Sequence, residues 1–306
     1  MSEVRAVDVP ELRAELVSYM NGPGVVAFQA LMDLGMFPVR PESARSLCDK
    51  EAQRLSGDLY FVSDDMASLA KSAANSLPKF TFAPEDLPSP SGFLVFEKPV
   101  AVVRQALADD VFLGAPAVEV VASIIAASWS HWSPSPRAKG GAWISWYTDR
   151  RAMEDPMGAW PTRFIYDHEF LVPFSDDEIP MMDGSTGAIL DGPPGLLSLI
   201  QTVWLLMQQP IARNEDVMTY PAARKRLRRM GVEPKPVRVI TLRRPSGSGS
   251  GASDREYHHQ WIVRGHWRQQ WYPSREVHRP VWIAPHVKGP EGAPLLGGEK
   301  VHAWVR

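Results

Sequence analysis

The sequence predicts an α+β fold: N-terminal helices, a mainly antiparallel sheet, a central apolar helix and a C-terminal β-meander docked on the main body. Three observations predict it. Residues 9–76 carry apolar positions at the three-to-four spacing of a helix face. Four later runs, at 93–96, 118–129, 142–147 and 163–172, are short, rich in β-branched and aromatic residues, and bounded by turn residues. Residues 255–306 hold six of the eight histidines and five of the eleven tryptophans, interleaved with eight Lys or Arg in strand-like alternation.

At 306 residues, 44% hydrophobic and 22% charged, the chain can bury a full core, which excludes disorder as its overall state. Charges near the N-terminus stand where a secretory signal needs an apolar stretch, and no run of about 18 apolar residues occurs. A soluble cytoplasmic protein with no membrane partner is expected. Cys48 is the sole cysteine, which excludes an intramolecular disulfide and a Cys-rich zinc site and reads as a buried thiol.

The elements follow in order. Helical patterns cover 9–32 and 42–54, and Ser63-Asp64-Asp65 is a helix start before Met66, Leu69 and Ala73. Pro88, Pro90 and Gly92 turn the chain into the first strand run. Residues 194–209 are apolar nearly all round, with Pro194 suited to a first turn, as a central core helix would be. A second helix over 221–230 stops at Gly231, with Ala223, Leu227 and Met230 as its apolar stripe. Arg224, Lys225, Arg226, Arg228 and Arg229 fill the rest of its surface. Residues 237–242 read as a strand. The expected organisation is a main body over 1–244 (helical to 76, sheet and helices over 90–244), a Gly/Ser linker over 245–254, and a segment over 255–306 too small to fold alone.

Alternation gives the C-terminal strands two faces. Val281, Ile283 and Val287 point one way and Trp282 and His286 the other; Val301, Ala303 and Val305 oppose His302, Trp304 and Arg306. In residues 257–264, Trp261 and Val263 oppose His258, Gln260, Ile262 and Arg264, and Gly265 marks a bulge that re-aims His266 and Arg268. The expectation is a core face of Val and Ile and an outward face of Trp, His and Arg, fit to stack bases and hold phosphates. The competing expectation is a Trp-rich face covered by a helix.

Charge divides the chain. Residues 1–209 hold 15 Lys or Arg against 27 Asp or Glu, and residues 210–306 hold 18 against 8. The basic part suits a polyanion or an acidic partner, unless the two parts pack together and neutralise each other. Candidate RNA- or partner-binding residues are Arg264, His266, Trp267, Arg268, Trp271, Arg279, Trp282 and His286, with Arg224, Lys225, Arg228 and Arg229 of the basic helix.

Metal-independent RNA cleavage needs a base, an acid and a cation, roles open to His266, His302 and Arg264. No metal site and no cofactor is expected: the neighbours His258 and His259 would point to opposite faces of a strand, and HExxH and HxH patterns are absent. Strand alternation would put Arg163, Asp167 and Glu169 on one face, where pairing of Arg163 with a carboxylate explains them. Walker A, GxGxxG and GxSxG motifs are absent too.

Arg264-Gly265-His266-Trp267, followed by Trp271 and by the run from Arg279 to Pro285, resembles the C-terminal segment of an anti-CRISPR family of phages and mobile elements. That family is the second in the type V-A series and suppresses production of the type V-A effector nuclease. The apolar helix around Trp204 with Pro210 after it, and the approach from Leu87-Pro88 to Phe96, are similar as well. The chain departs at Arg268 and Gln269, where the family has a second His and a Gly, and in the Gly/Ser stretch from Gly247 to Gly251. The resemblance implies a protein that meets its target during synthesis and lowers its message. Its implied partners are RNA or a translating ribosome and the nascent polypeptide of a host defence protein.

Three functional readings stand side by side: a regulatory protein that binds RNA or a nascent peptide, a ribonuclease using the C-terminal His and Arg, and an accessory phage protein whose Trp and His only complete a core.

Overall fold

A computed structural model describes residues 3–33, 43–107, 118–132, 140–152, 161–174, 181–183, 189–190, 195–243, 259–290 and 294. The stretch 9–76, expected to be helical throughout, contains a strand, β1 (Asp58–Val62). Leu59-Tyr60-Phe61-Val62 is too short for a stable helix and rich in strand formers. Gly57 precedes it because the backbone of Ser91 lies 2.3 Å from where a Cβ would be. The pattern over 9–32 is two helices, α1 (Val9–Met20) and α2 (Pro23–Asp33), split at Asn21-Gly22 and restarted by Pro23. Then come α3 (Ala44–Leu55), capped by Ser43 Oγ accepting from Ser46 N–H at 3.1 Å, and α4 (Asp64–Ala74) with two aspartates in its first turn.

The remaining elements of the body are β2 (Ser91–Phe96), β3 (Ala101–Leu107), β4 (Val118–Trp132), β5 (Gly141–Asp149), β6 (Phe164–Pro173), β7 (Met181–Asp183), β8 (Ile189–Leu190), α5 (Gly195–Met207), β9 (Ala212–Val217), α6 (Pro221–Arg229) and β10 (Val237–Leu242). They build one ten-stranded sheet in the order β8-β7-β6-β5-β4-β2-β1-β10-β9, with β3 also on β4. Its pairings are mainly antiparallel, as expected, but β1 runs parallel to both β2 and β10. The fold is α+β. Among the described residues no helix is long and apolar enough to cross a membrane.

The central strands are buried on both faces, so the sheet needs two covering layers. Leu59, Phe61, Phe93 and Val95 pack against α1, α2 and α3 through Leu16, Tyr19, Met20, Phe28, Leu47 and Leu55. Tyr60, Val62, Leu94 and Phe96 face the opposite core, with α4 and α5. Helix α5 is the apolar core helix expected at 194–209. Its Trp204 is fully buried, stacked on Phe82 at 5.8 Å and edge-on to Trp129 at 5.3 Å. Such ring pairs contribute about 0.5–1.5 kcal/mol each beyond simple burial. Trp129 fits only because position 92 is glycine: a Cβ there would stand 2.4 Å from the indole.

A polar cluster sits between α3 and the sheet. Glu51, 1% exposed, is paired with Arg54 one turn on, and accepts hydrogen bonds from Ser128 Oγ at 2.9 Å, Ser145 Oγ at 2.8 Å and the Tyr147 hydroxyl. Arg54 lies 3.6 Å from Glu169 and over the Trp143 ring at 4.9 Å, and Trp143 Nε1 donates to Glu169 at 2.6 Å. Two bulges bring these groups together. The register between β4 and β5 shifts between Ile124 and Ala126, and between β5 and β6 it shifts around Ser145 and Tyr147. The second shift leaves Asp167 and His168 facing one residue of β5, so Asp167 and Glu169 do not share the face that strict alternation predicts. Arg163 instead pairs with the fully buried Asp149 at 2.8 Å. Cys48 is buried beside this cluster's helix face, and burial pushes its thiol up to about 11.

Burial alone would raise the Glu51 carboxyl, but the Arg54 charge, with the Tyr147 and Ser145 hydroxyls, holds it below the usual carboxylate range. A depressed carboxyl contributes stability above its unfolded value and loses it as pH falls through the folded one. Burial raises Glu169 against the pull of Arg54, which gives it the opposite sign. Glu51→Ala leaves Arg54 buried with half its compensation and is expected to cost about 3–5 kcal/mol in urea denaturation. Glu51→Gln should cost less and flatten the acid limb of the stability profile.

Candidate nucleic-acid interface

The C-terminal segment forms a broken two-stranded ribbon. Strand β11 (Trp261–Val263) pairs antiparallel with β14 (His286–Lys288), and β12 (His266–Tyr272) pairs with β13 (Val277–Ile283). The ladder breaks at Arg264-Gly265 opposite Ala284-Pro285, so Gly265 marks a joint between two ladders where a bulge was expected. Its glycine is required by packing: a Cβ would stand 2.5 Å from the Trp282 indole and 3.1 Å from Pro285.

The expected faces of β13 are inverted. Trp282, assigned to an outward binding face, is 8% exposed and belongs to the core under α5, while Val281 and Ile283 are half-buried. Trp267 lies directly across from it, with the rings 5.3 Å apart at 68°. The reason is the site available: the gap beside α4 and α5 takes two indoles, and the smaller Val and Ile go to the other side. Trp267 Nε1 donates to the Ala73 carbonyl at 2.9 Å, and the Trp282 backbone N–H donates to Gln209 Oε1 at 2.9 Å. Arg279, expected to bind a partner, is instead ion-paired with the buried Asp86 and lies 3.7 Å from Glu85. Trp267, Trp282 and Arg279 therefore dock the ribbon on the body.

Other candidates remain outward. His266 and Arg264 are exposed; the His266 Nδ1–H donates to the Arg264 carbonyl at 3.0 Å, which presents Nε2 to solvent. His286 is half-buried and makes the same contact to the Ala284 carbonyl at 3.0 Å. The two imidazoles flank one break in the ladder, with Arg264 inside it. Arg268 is exposed and donates to Gln270 Oε1 at 2.8 Å. Trp271, 43% exposed, lies across from His278 with the rings 4.8 Å apart. His278 was missed from sequence, since only the strand register places it beside Trp271. His302, Trp304 and the linker at 245–254 lie outside the described residues.

The basic helix lies elsewhere. Ala223 and Leu227 of α6 are 1% exposed, but Met230, expected in the same apolar stripe, is 55% exposed because it sits past the last turn. Arg226 makes a bidentate pair with Glu11 of α1 at 2.7 and 2.9 Å. Helix α6 thus belongs to the α1 layer, across the sheet from the ribbon, and the expected binding residues divide between two surfaces. The two charge-divided parts do pack together, through Arg226 with Glu11 and Arg279 with Asp86. Among the described residues no group of three or more His, Cys, Asp or Glu could hold a metal.

Arg279→Ala strands a buried carboxylate and is expected to cost about 3 kcal/mol of thermal or urea stability. Gly265→Val should cost about 1–3 kcal/mol by overpacking Trp282, with an altered near-UV tryptophan signal as the readout.

No family model matches the chain, and no curated protein matches it. One solved structure, described as the crystal structure of AcrVA2, aligns over 91% of this chain and 93% of that one at 13% identity and a TM-score of 0.34, a likeness too remote to carry an argument about function.

Proposed function

We propose that the chain is a regulatory binding protein of the anti-CRISPR kind, which engages RNA, free or on a translating ribosome, and lowers production of a host defence protein as its nascent polypeptide emerges. The observation that supports it is the ribbon. Its core-facing Trp267, Trp282 and Arg279 are occupied in docking, yet it still holds His266, Arg268 and the Trp271–His278 ring pair out on a fixed platform. A rigid aromatic with cations nearby is the minimal equipment for single-strand binding, with bases on the ring and phosphates on the arginine. The Arg-Gly-His-Trp resemblance points the same way. Anisotropy with labelled RNA should show affinity falling steeply with salt, as counterion release requires. Trp271→Ala is expected to weaken binding by about 1–3 kcal/mol without lowering stability. Absent or salt-independent RNA binding would sink the reading.

One observation favours a second reading, metal-independent RNA cleavage: His266 and His286 flank the same ladder break, each with Nδ1–H tied to a carbonyl. This geometry offers His286 as the partner of His266, in place of His302. In chelator, wild type should cleave labelled RNA, and His266→Ala and His286→Ala should each slow cleavage by about 10²–10⁴-fold while binding persists. Intact RNA after incubation with wild type, with and without ribosomes, removes the enzyme reading.

A further inference from the structure

We propose that α6 carries a second, independent RNA-phosphate site, in the layer opposite the ribbon. Arg224, Lys225, Arg228 and Arg229, with Pro221, line an open groove of about 610 Å³ with no acidic residue in its wall. Compensation is thin. Arg228 lies 3.3 Å from Glu233, with both side chains mostly exposed, whereas Arg224, Lys225 and Arg229 have no ion-pair partner among the described residues. The Nε–H of Arg224 is buried with no acceptor among the described residues.

Helix stability does not explain the arrangement. Cations suit the last turn of a helix, where Arg226, Arg228 and Arg229 stand, but Arg224 lies in the N-terminal half and Lys225 at the middle, where the dipole gives them no such support. The pairs 224/228 and 225/229 are like charges one turn apart, which repel. A row of cations kept at that cost is suited to a row of anions. A membrane surface is disfavoured because the apolar side of α6, Ala223 and Leu227, is already buried and cannot insert. Single-stranded RNA is favoured because Tyr220, 53% exposed and with the Arg5 guanidinium 6.0 Å from its ring centre, stands at the start of the helix, where a base could join this aromatic–cation pair while phosphates lie on the guanidinium forks.

The inference rests on the RNA reading above for its ligand, but its residues are separate, so the two can fail separately. The experiment compares wild type, Lys225→Gln/Arg229→Gln and Arg268→Gln/Trp271→Ala by anisotropy on a labelled single-stranded RNA across a salt series, with melting curves to check folding. Removing two phosphate contacts should lower affinity at least tenfold and reduce the slope of log affinity against log salt by about 1.4. Affinity and slope unchanged in the groove variant overturn the groove while leaving the ribbon reading to its own variant. Loss in the groove variant alone supports the groove and counts against the ribbon. Anionic vesicles and poly-glutamate run in parallel; stronger groove-dependent binding to either than to RNA overturns the choice of RNA.

Discussion

Burial of β1 on both faces is the constraint on which the rest of the molecule depends. A strand with Leu59 and Phe61 toward one core and Tyr60 and Val62 toward the other, flanked by parallel partners, has no face to give to water. The first three helices close one side. On the other side α4 and α5 leave a gap at the end of α4 and beside Gln209, and Trp267 and Trp282 fill it. The ribbon is held in place because the sheet needs that cover. Its outward residues owe their fixed positions to the same need.

The polar cluster under α3 works alongside this apolar constraint. A carboxylate sunk among Ser128, Ser145, Tyr147 and Arg54 contributes little net stability against an apolar replacement, since desolvation offsets most of the attraction. It does discriminate between packings. Sliding α3 by one turn would take Glu51 from the three hydroxyls that it accepts from on two strands and leave its buried charge unsatisfied, so the helix has one acceptable register on the sheet. The bulge between β5 and β6 belongs to the same arrangement: Tyr166 stands across from Tyr147 and Glu169 across from Ser145, and without the extra residue Tyr166 and Glu169 would take opposite faces of the strand.

Local patterns were readable in the sequence, and facing was not. Helix α5, the end of α6 at Gly231, the strands at 93–96, 142–147 and 237–242 and the buried Cys48 follow from period, caps and composition, which are properties of nearby residues. The strand at 58–62 was hidden because five residues between two helices give a period-2 pattern no room to show. The inversion of β13 has a different cause. Alternation separates Val281 and Ile283 from Trp282 but carries no sign, and both sets are apolar enough to be a core. Only the shape of the gap beside α5 decides. Arg279 shows the same limit in charge: its partner Asp86 lies 193 residues away, and no local pattern joins them.

The excess positive charge of residues 210–306 therefore means something other than one basic face. Part of it is consumed by the acidic part of the chain, in Arg226 with Glu11 and Arg279 with Asp86. Among the described residues, exposed cations outside these pairs include Lys225 and Arg229 on α6 and Arg268 on the ribbon, on opposite sides of the sheet. The chain itself marks the route between them: Gln209, which holds Trp282, leads into the edge strand β9, and β9 leads to Tyr220 at the start of α6. Six strand residues span roughly 20 Å. Along that edge Arg213 is paired with Glu215 and Asp216 with Arg238, so the exposed strand carries charges of both signs and offers no continuous basic path. A polyanion touching both surfaces must cross this balanced edge without help from it. The two surfaces then act as separate contacts joined by the flexibility of the ligand, and their contributions to affinity should be close to independent.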